Sequence, residues 1–153
     1  MNKHAGFTIL ELMVVIAIIG ILSATAMPLY RTMQQRTYGR EAVLMAKQIL
    51  DAQIIYFLEH DKFYPETDIL ISINNTDPPD KQEIIDILDN LKITIPVNHF
   101  LDYAFYATNT LGGEKFTVLI SAHFPLFRND STTTLTGTVY RSGKTEITVP
   151  DLD

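Results

Sequence analysis

Residues 6–30, which read GFTILELMVVIAIIGILSATAMPLY, decide the fold of this chain. Nineteen residues from Leu12 to Tyr30 carry no charge, and only Glu11 interrupts the uncharged stretch that begins at Phe7. As a helix this stretch would be about 36 Å long, and the hydrocarbon core of a bilayer is about 30 Å thick. It therefore predicts a membrane-spanning helix with one carboxylate near its start.

A cleaved secretory signal is the simplest alternative, and Ser23-Ala24-Thr25-Ala26 imitates the small-residue cleavage site of such signals. The apolar run is too long for a signal peptide, and Glu11 lies inside it, where a charge costs a few kcal/mol. The pair Ala5-Gly6 lies before the apolar run instead of after it. Cleavage there would leave the helix on the mature chain, which favours a processed membrane anchor.

Gly6 followed by Phe7, with Glu11 at the fifth position after the glycine and an uncharged helix beyond, resembles the class III signal of type IV pilins and pseudopilins. The motif covers about 24 residues and is specific. The resemblance implies cleavage by a prepilin peptidase between Gly6 and Phe7, and N-methylation of Phe7. It also implies three segments: a leader (1–6), a transmembrane and filament-core helix (7–30), and a globular head (31–153) that includes the second half of the long helix.

The resemblance gives Glu11 a role in assembly, in which its carboxylate neutralises the cationic N-terminus of a neighbouring subunit. A subunit out of register would leave a charge unpaired among apolar helices. The alternative is that Glu11 lies at the membrane edge and contacts water.

Gly20 and Pro28 are the weakest points of the helix, because glycine lowers helix stability and proline cannot donate to the carbonyl of Ala24. A tolerated kink explains them, but the resemblance favours a stretch that unwinds during assembly.

Beyond Tyr30 the sequence predicts an α+β head with the pilin fold: the long helix, continuing from Phe7 to about Glu59, packs on an antiparallel sheet of about four strands. Residues 66–80 are predicted to form a loop, and residues 81–92 a short helix with Ile84, Ile85, Leu88 and Leu91 on one side. Strand-forming residues predict four strands, at 103–109, 115–123, 135–141 and 144–149. Leu111-Gly112-Gly113 and Ser142-Gly143 are the expected turns.

No catalytic constellation is evident, so the chain is not expected to be an enzyme. It has no cysteine, which excludes disulfides and thiolate metal sites. The four histidines have no close carboxylate or second histidine at metal-ligand spacing. No cofactor is expected; Asp130, Asp151 and Asp153 could hold calcium, but scattered surface carboxylates are the simpler explanation for them. The net charge of −6 lies on residues 31–153 and argues against nucleic acid as a partner.

The function that the resemblance implies is a structural subunit of a type IV pilus, with a pseudopilin of a type II secretion system as the alternative. The expected partners are further copies of the chain in a helical filament, the prepilin peptidase and methyltransferase, the inner-membrane assembly platform, and membrane lipid before assembly. The subunit would cross the inner membrane once with its N-terminus in the cytoplasm, then join an extracellular pilus or periplasmic pseudopilus. Arg31, Arg36 and Arg40 outnumber Lys3 and the amino terminus across the span, so the positive-inside rule favours the opposite orientation.

Overall fold

The structure, a computed structural model, describes residues 7–65, 69–74, 81–96, 100–110, 113–127 and 132–148. The chain divides into two compact units, Met1–Gln34 and Gln35–Asp153. Its elements in chain order are α1 (Ile9–His60), β1 (Leu70–Ile73), α2 (Lys81–Leu91), β2 (Leu101–Thr108), β3 (Lys115–Ala122), β4 (Thr134–Tyr140) and β5 (Thr145–Thr148). The long helix, the short helix and the four predicted strands are all confirmed.

The sheet has five strands in the order β1-β2-β3-β4-β5, and each neighbouring pair is antiparallel. The prediction of about four strands and of a continuous loop over 66–80 is therefore wrong at β1. This strand is four residues long, with Ile71 and Ile73 buried and Leu70 and Ser72 exposed. Its alternation is too short to stand out beside Asp68 and the Asn74-Asn75 pair, and pairing with β2 is what holds it in the sheet.

The core of the second unit lies between α1 and the inner face of the sheet. The buried residues of α1 follow a helical period: Gly39, Ala42, Met45, Ala46, Ile49, Leu50, Ala52 and Gln53. Alternate residues of the strands face them, as the burial patterns of β2, β3 and β4 show. Gly137 of β4 permits this close contact, because an added Cβ would lie 3.0 Å from Val118 Cγ1 and 3.3 Å from Leu50 Cδ1.

Both helices end with a residue in the left-handed conformation. Asp61 has φ +54° and its N–H donates to the carbonyl of Phe57 at 2.8 Å; Lys92 has φ +56° and its N–H donates to the carbonyl of Leu88 at 3.0 Å.

The predicted apolar side of α2 is partly wrong. Ile87 and Leu91 are buried and Ile84 is half-buried, whereas Ile85 and Leu88 are 49% and 43% exposed.

The hairpin between β4 and β5 turns at the predicted Ser142-Gly143 pair. Gly143 has φ +79°, and its N–H donates to the carbonyl of Tyr140 at 2.8 Å. A glycine favours this conformation because it has no side chain to clash. Leu111 and Gly112 of the other predicted turn lie outside the described residues, and the N–H of Gly113 donates to the carbonyl of Thr110 at 2.9 Å.

Candidate functional site

The apolar N-terminal segment is the first candidate site. Every residue from Phe7 to Tyr30 is exposed, including Phe7 at 74%, Ile9 at 80% and Ile21 at 69%. The helix that contains them is long and apolar enough to cross a membrane, and none of its most apolar window is buried. An exposed apolar surface of this extent marks a site for lipid or for other protein chains. We call residues 7–34 the stem.

Thr8 and Glu11 form a capping box at the start of α1. The amide and hydroxyl of Thr8 donate to Glu11 Oε2 at 2.9 and 2.8 Å, and the amide of Glu11 donates to Thr8 Oγ1 at 3.2 Å. These bonds satisfy donors that the first turn of a helix leaves without backbone partners. This capping role was not predicted, although the T-x-x-E pattern of residues 8–11 is the sequence signal for it.

The helix is continuous through Gly20 and Pro28. Nothing lies within 4 Å of the position that a Cβ on Gly20 would take. The hydroxyl of Thr32 donates to the carbonyl of Pro28 at 3.0 Å, and that of Thr25 to the carbonyl of Leu22 at 3.0 Å. Threonine bonds of this kind compete with the backbone ladder and accompany bends in helices. Unwinding of this stretch during assembly stays a prediction.

The predicted processing site is only partly within the described residues. Phe7 precedes the first residue of α1, and its side chain is exposed. Gly6 and the rest of residues 1–6 lie outside the described residues, as do His4, His99, Asp130, Asp151 and Asp153. Cleavage, methylation and the weak calcium possibility therefore stay predictions.

One histidine has a carboxylate neighbour that sequence spacing did not show. The Nε2 of His123 lies 3.7 Å from Asp102 Oδ2, with His123 72% and Asp102 18% exposed at the side chain. Strand register brings these two side chains together, because β2 and β3 pair Leu101 with Ala122 and so place the ends of the two strands side by side. Among the described residues, no three histidine, aspartate or glutamate side chains cluster in a way that could hold a metal ion.

Polar side chains of the β4–β5 hairpin pair with each other and with Glu114, the residue before β3. Glu146 accepts a hydrogen bond from Lys144 Nζ at 2.5 Å and another from the Tyr140 hydroxyl at 3.1 Å. The bond from Lys144, followed by that from Tyr140, lowers the pKa of Glu146 from its ordinary value. Arg141 reaches across to Glu114, Nη1 to Oε1 at 2.7 Å. These pairs fasten the hairpin and suggest no catalysis.

Two side-chain amides hold the segment that follows α1. Gln53 Nε2 donates to the carbonyl of Tyr64 at 2.5 Å, and the amide of Tyr64 donates to Gln53 Oε1 at 3.0 Å. From the other side, Asn109 accepts from the amide of Phe63 at 2.9 Å and donates to its carbonyl at 3.2 Å. The Tyr64-Pro65 peptide bond is cis. Gln53 and Asn109, which we call the amide clamp, hold the segment Phe63-Tyr64-Pro65 against the core.

Comparisons with known proteins bear on the stem. Residues 1–27 match the family model described as the prokaryotic N-terminal methylation motif. The type IV major pilin protein PilE1 of Neisseria gonorrhoeae is 48% identical over 61 residues, which is 40% of this chain and 36% of that protein. The fimbrial protein of Neisseria meningitidis serogroup B is 45% identical over 58 residues, 38% of this chain and 34% of that protein.

A more distant organism supplies a similar match. The type IV major pilin protein PilA of Myxococcus xanthus is 43% identical over 61 residues, 40% of this chain and 28% of that protein. The alignments thus span about a third of the length of these relatives. No solved structure matches the chain. The suspected resemblance is confirmed: the chain carries the methylation motif, has type IV major pilins as homologues, and has an α+β fold consistent with that of pilins.

Proposed function

We propose that this chain is a structural subunit of a type IV pilus filament and assembles through its stem after cleavage between Gly6 and Phe7 and N-methylation of Phe7. The observation that carries the proposal is the exposed apolar helix directly after a methylation motif. The relatives are named as type IV major pilins and a fimbrial protein, which supports a pilus over a pseudopilus and fits a chain that is not an enzyme.

The stem would lie in the inner membrane before assembly and among the stems of other copies afterwards. This transfer exchanges one apolar environment for another, so the hydrophobic effect contributes little to it, and close packing and polar pairing decide the outcome. Gly20 suits such packing, because the space around it is open and small residues let helices approach each other.

Glu11 can serve its own helix and a neighbouring subunit at once. Both bonds from Thr8 go to Oε2, and Oε1 has no hydrogen-bond partner among the described residues. In the filament, Oε1 would accept from the methylated ammonium group of Phe7 on the next subunit. A charge left unpaired near the centre of an apolar bundle costs about 2.5–3.5 kcal/mol, so only subunits in register would assemble well.

The first experiment separates the charge of Glu11 from its capping role. Glu11→Gln keeps an oxygen that can accept from Thr8 but removes the charge, whereas Thr8→Ala removes the two hydroxyl bonds of the cap, leaves the amide bond to Oε2 and keeps the charge. We expect Glu11→Gln to be cleaved and methylated normally but to lower the yield of sheared extracellular filaments at least tenfold. Thr8→Ala should assemble with a smaller loss. A normal filament yield from Glu11→Gln, beside a large loss from Thr8→Ala, would show that capping alone explains Glu11.

A second experiment tests processing. Mass spectrometry of the membrane form should show a chain that begins at N-methylated Phe7, and substitution of Gly6 by leucine should leave residues 1–6 attached. A chain that still begins at Met1 would contradict the processing proposal. Filaments that are found only in the periplasm would favour the pseudopilin alternative.

A further inference from the structure

A groove with two arginines at its edge lies between α1 and the segment after β3. It has a volume of about 320 Å³, and we call it the arginine groove after its lining residues, Arg36, Gly39, Arg40, Val43, Leu126 and Phe127. Gly39 is buried and lets the two sides come together, since a Cβ there would lie 3.3 Å from Phe127 Cε1 and closer still to the carbonyl oxygen of Leu126.

The groove combines positive charge with an apolar wall. Arg36 and Arg40 are exposed and one helical turn apart, so both guanidinium groups can face the same ligand. Neither forms an ion pair with any residue that the structure describes, although the chain as a whole carries a net charge of −6. Leu126 is buried and Val43 and Phe127 are half-buried. Such a surface complements an anion attached to an apolar group.

The position of the groove along the chain indicates which anion. Arg36 follows Tyr30, the last residue of the uncharged run, by six residues in one continuous helix, which is about 9 Å of rise. The headgroup layer of a bilayer extends about 5–8 Å beyond the hydrocarbon core on each side. Long side chains of a helix point back toward its N-terminus, and arginine extends its charged end to the membrane surface. The guanidinium groups can therefore reach lipid phosphates.

We propose that the arginine groove binds an anionic phospholipid of the leaflet from which the head emerges, before the subunit joins a filament. The two guanidinium groups would hold the phosphate, for which arginine has a matching donor geometry, and the glycerol and upper acyl carbons would lie against Leu126 and Phe127. This inference rests on the proposed membrane stage of the subunit. It also accounts for arginines on the side of the span where the positive-inside rule does not expect them.

The test uses the full chain in nanodiscs made of phosphatidylcholine, with or without phosphatidylglycerol, and native mass spectrometry to count retained lipids. The wild type should retain phosphatidylglycerol in preference to phosphatidylcholine. Each arginine near an anionic surface contributes about fivefold, so Arg36→Gln with Arg40→Gln should reduce this preference about 25-fold. The matched control, Lys47→Gln with Lys115→Gln, removes the same charge from exposed positions outside the groove and should keep most of the preference.

Several outcomes would overturn the proposal. Equal losses in the arginine and lysine variants would show a diffuse charge effect, and displacement of the lipid by glycerol phosphate at equal concentration would indicate a soluble phosphate as the ligand. If the arginine variant retained phosphatidylglycerol but formed no filaments, the groove would be a contact between copies of the chain. Filament counts with Glu11→Gln test the proposed function separately, because lipid retention in nanodiscs requires no assembly.

Discussion

Gln53 provides the sharpest test of how the head is held together. It is fully buried in α1, and its side-chain amide forms hydrogen bonds with both the N–H and the carbonyl of Tyr64. Gln53→Leu keeps a side chain of similar volume but removes both partners. The Tyr64 backbone groups would then be partly buried with no hydrogen bond, since the neighbouring amide of Asn109 already bonds Phe63.

The expected loss follows from the two orphaned groups. A buried donor or acceptor without a partner costs about 1–3 kcal/mol, and the added apolar surface of leucine offsets part of the loss. We therefore expect Gln53→Leu to lower the free energy of unfolding by about 2–4 kcal/mol. This is a large fraction of the roughly 5–15 kcal/mol that holds a typical domain folded.

Urea unfolding of the full chain in detergent, followed by the near-ultraviolet circular dichroism of its tyrosines, measures the change. Gln48→Leu is the matched control, because Gln48 is an exposed residue of the same helix and its substitution should change stability by less than about 0.5 kcal/mol. Asn109→Leu should also destabilise, and the double variant should lose less than the sum, since the two amides hold adjacent residues. Equal midpoints for Gln53→Leu and Gln48→Leu would refute the reasoning.

Three further changes probe the head and the stem. Gly39→Ala should lower the free energy of unfolding of the head by about 1–3 kcal/mol, because the new methyl group would overlap the Leu126 carbonyl. A lower melting temperature would report this loss. Tyr103 is buried and its hydroxyl has no hydrogen-bond partner among the described residues, so Tyr103→Phe should leave stability at pH 7 unchanged or raise it by about 1 kcal/mol. Burial, then the charges of Glu41 and Asp102, raise the pKa of Tyr103, so the folded head binds this proton more tightly than the unfolded chain. Stability should fall as the pH rises above about 10, where the unfolded tyrosine ionises, and Tyr103→Phe should make the pH titration of unfolding shallower there. Gly20→Ala combined with Pro28→Ala strengthens the helix and should reduce filament yield without reducing membrane insertion; normal filament counts by electron microscopy would contradict the unwinding hypothesis.

Periodicity predicted the helices and the longer strands because burial imposes one period along each element. The buried residues of α1 repeat with a helical period, and the strand alternation holds in β2, β3 and β4. Periodicity failed where tertiary contacts determine the secondary structure, as in β1, which forms a strand only because it pairs with β2. In α2 the sequence correctly favoured Leu91, but packing buried Ile87 in place of Ile85 and Leu88.

Local motifs and distant pairings differ in how far the sequence shows them. The motif of Gly6, Phe7 and Glu11 can be found from residue order alone, because it is a linear segment that needs no folded partner to complete it. The pairing of His123 with Asp102, and the clamp of Gln53 and Asn109, depend on register and on residues that are 21, 11 and 46 positions apart. A buried glutamine in an otherwise apolar helix face was the available signal for the clamp, since buried amides need partners.

The capping box changes the physical argument for Glu11. A carboxylate in an apolar segment would be costly in lipid if it had to wait for a neighbouring subunit, but Thr8 supplies two hydrogen bonds to Oε2 within the same chain. The proposed membrane stage would then be tolerable without a partner, and Oε1 would still be able to accept from a cation. Register selection in the filament would follow because both oxygens of Glu11 have partners only when the subunits are in register. Out of register, Oε2 is still bonded to Thr8 but Oε1 is not bonded. Thr8→Ala should therefore make the membrane form less stable while it leaves the register of the filaments unchanged, a combination that helical reconstruction and pulse-chase turnover can measure. A change in helical register with normal turnover would show that Thr8 acts on the filament and not on the membrane form.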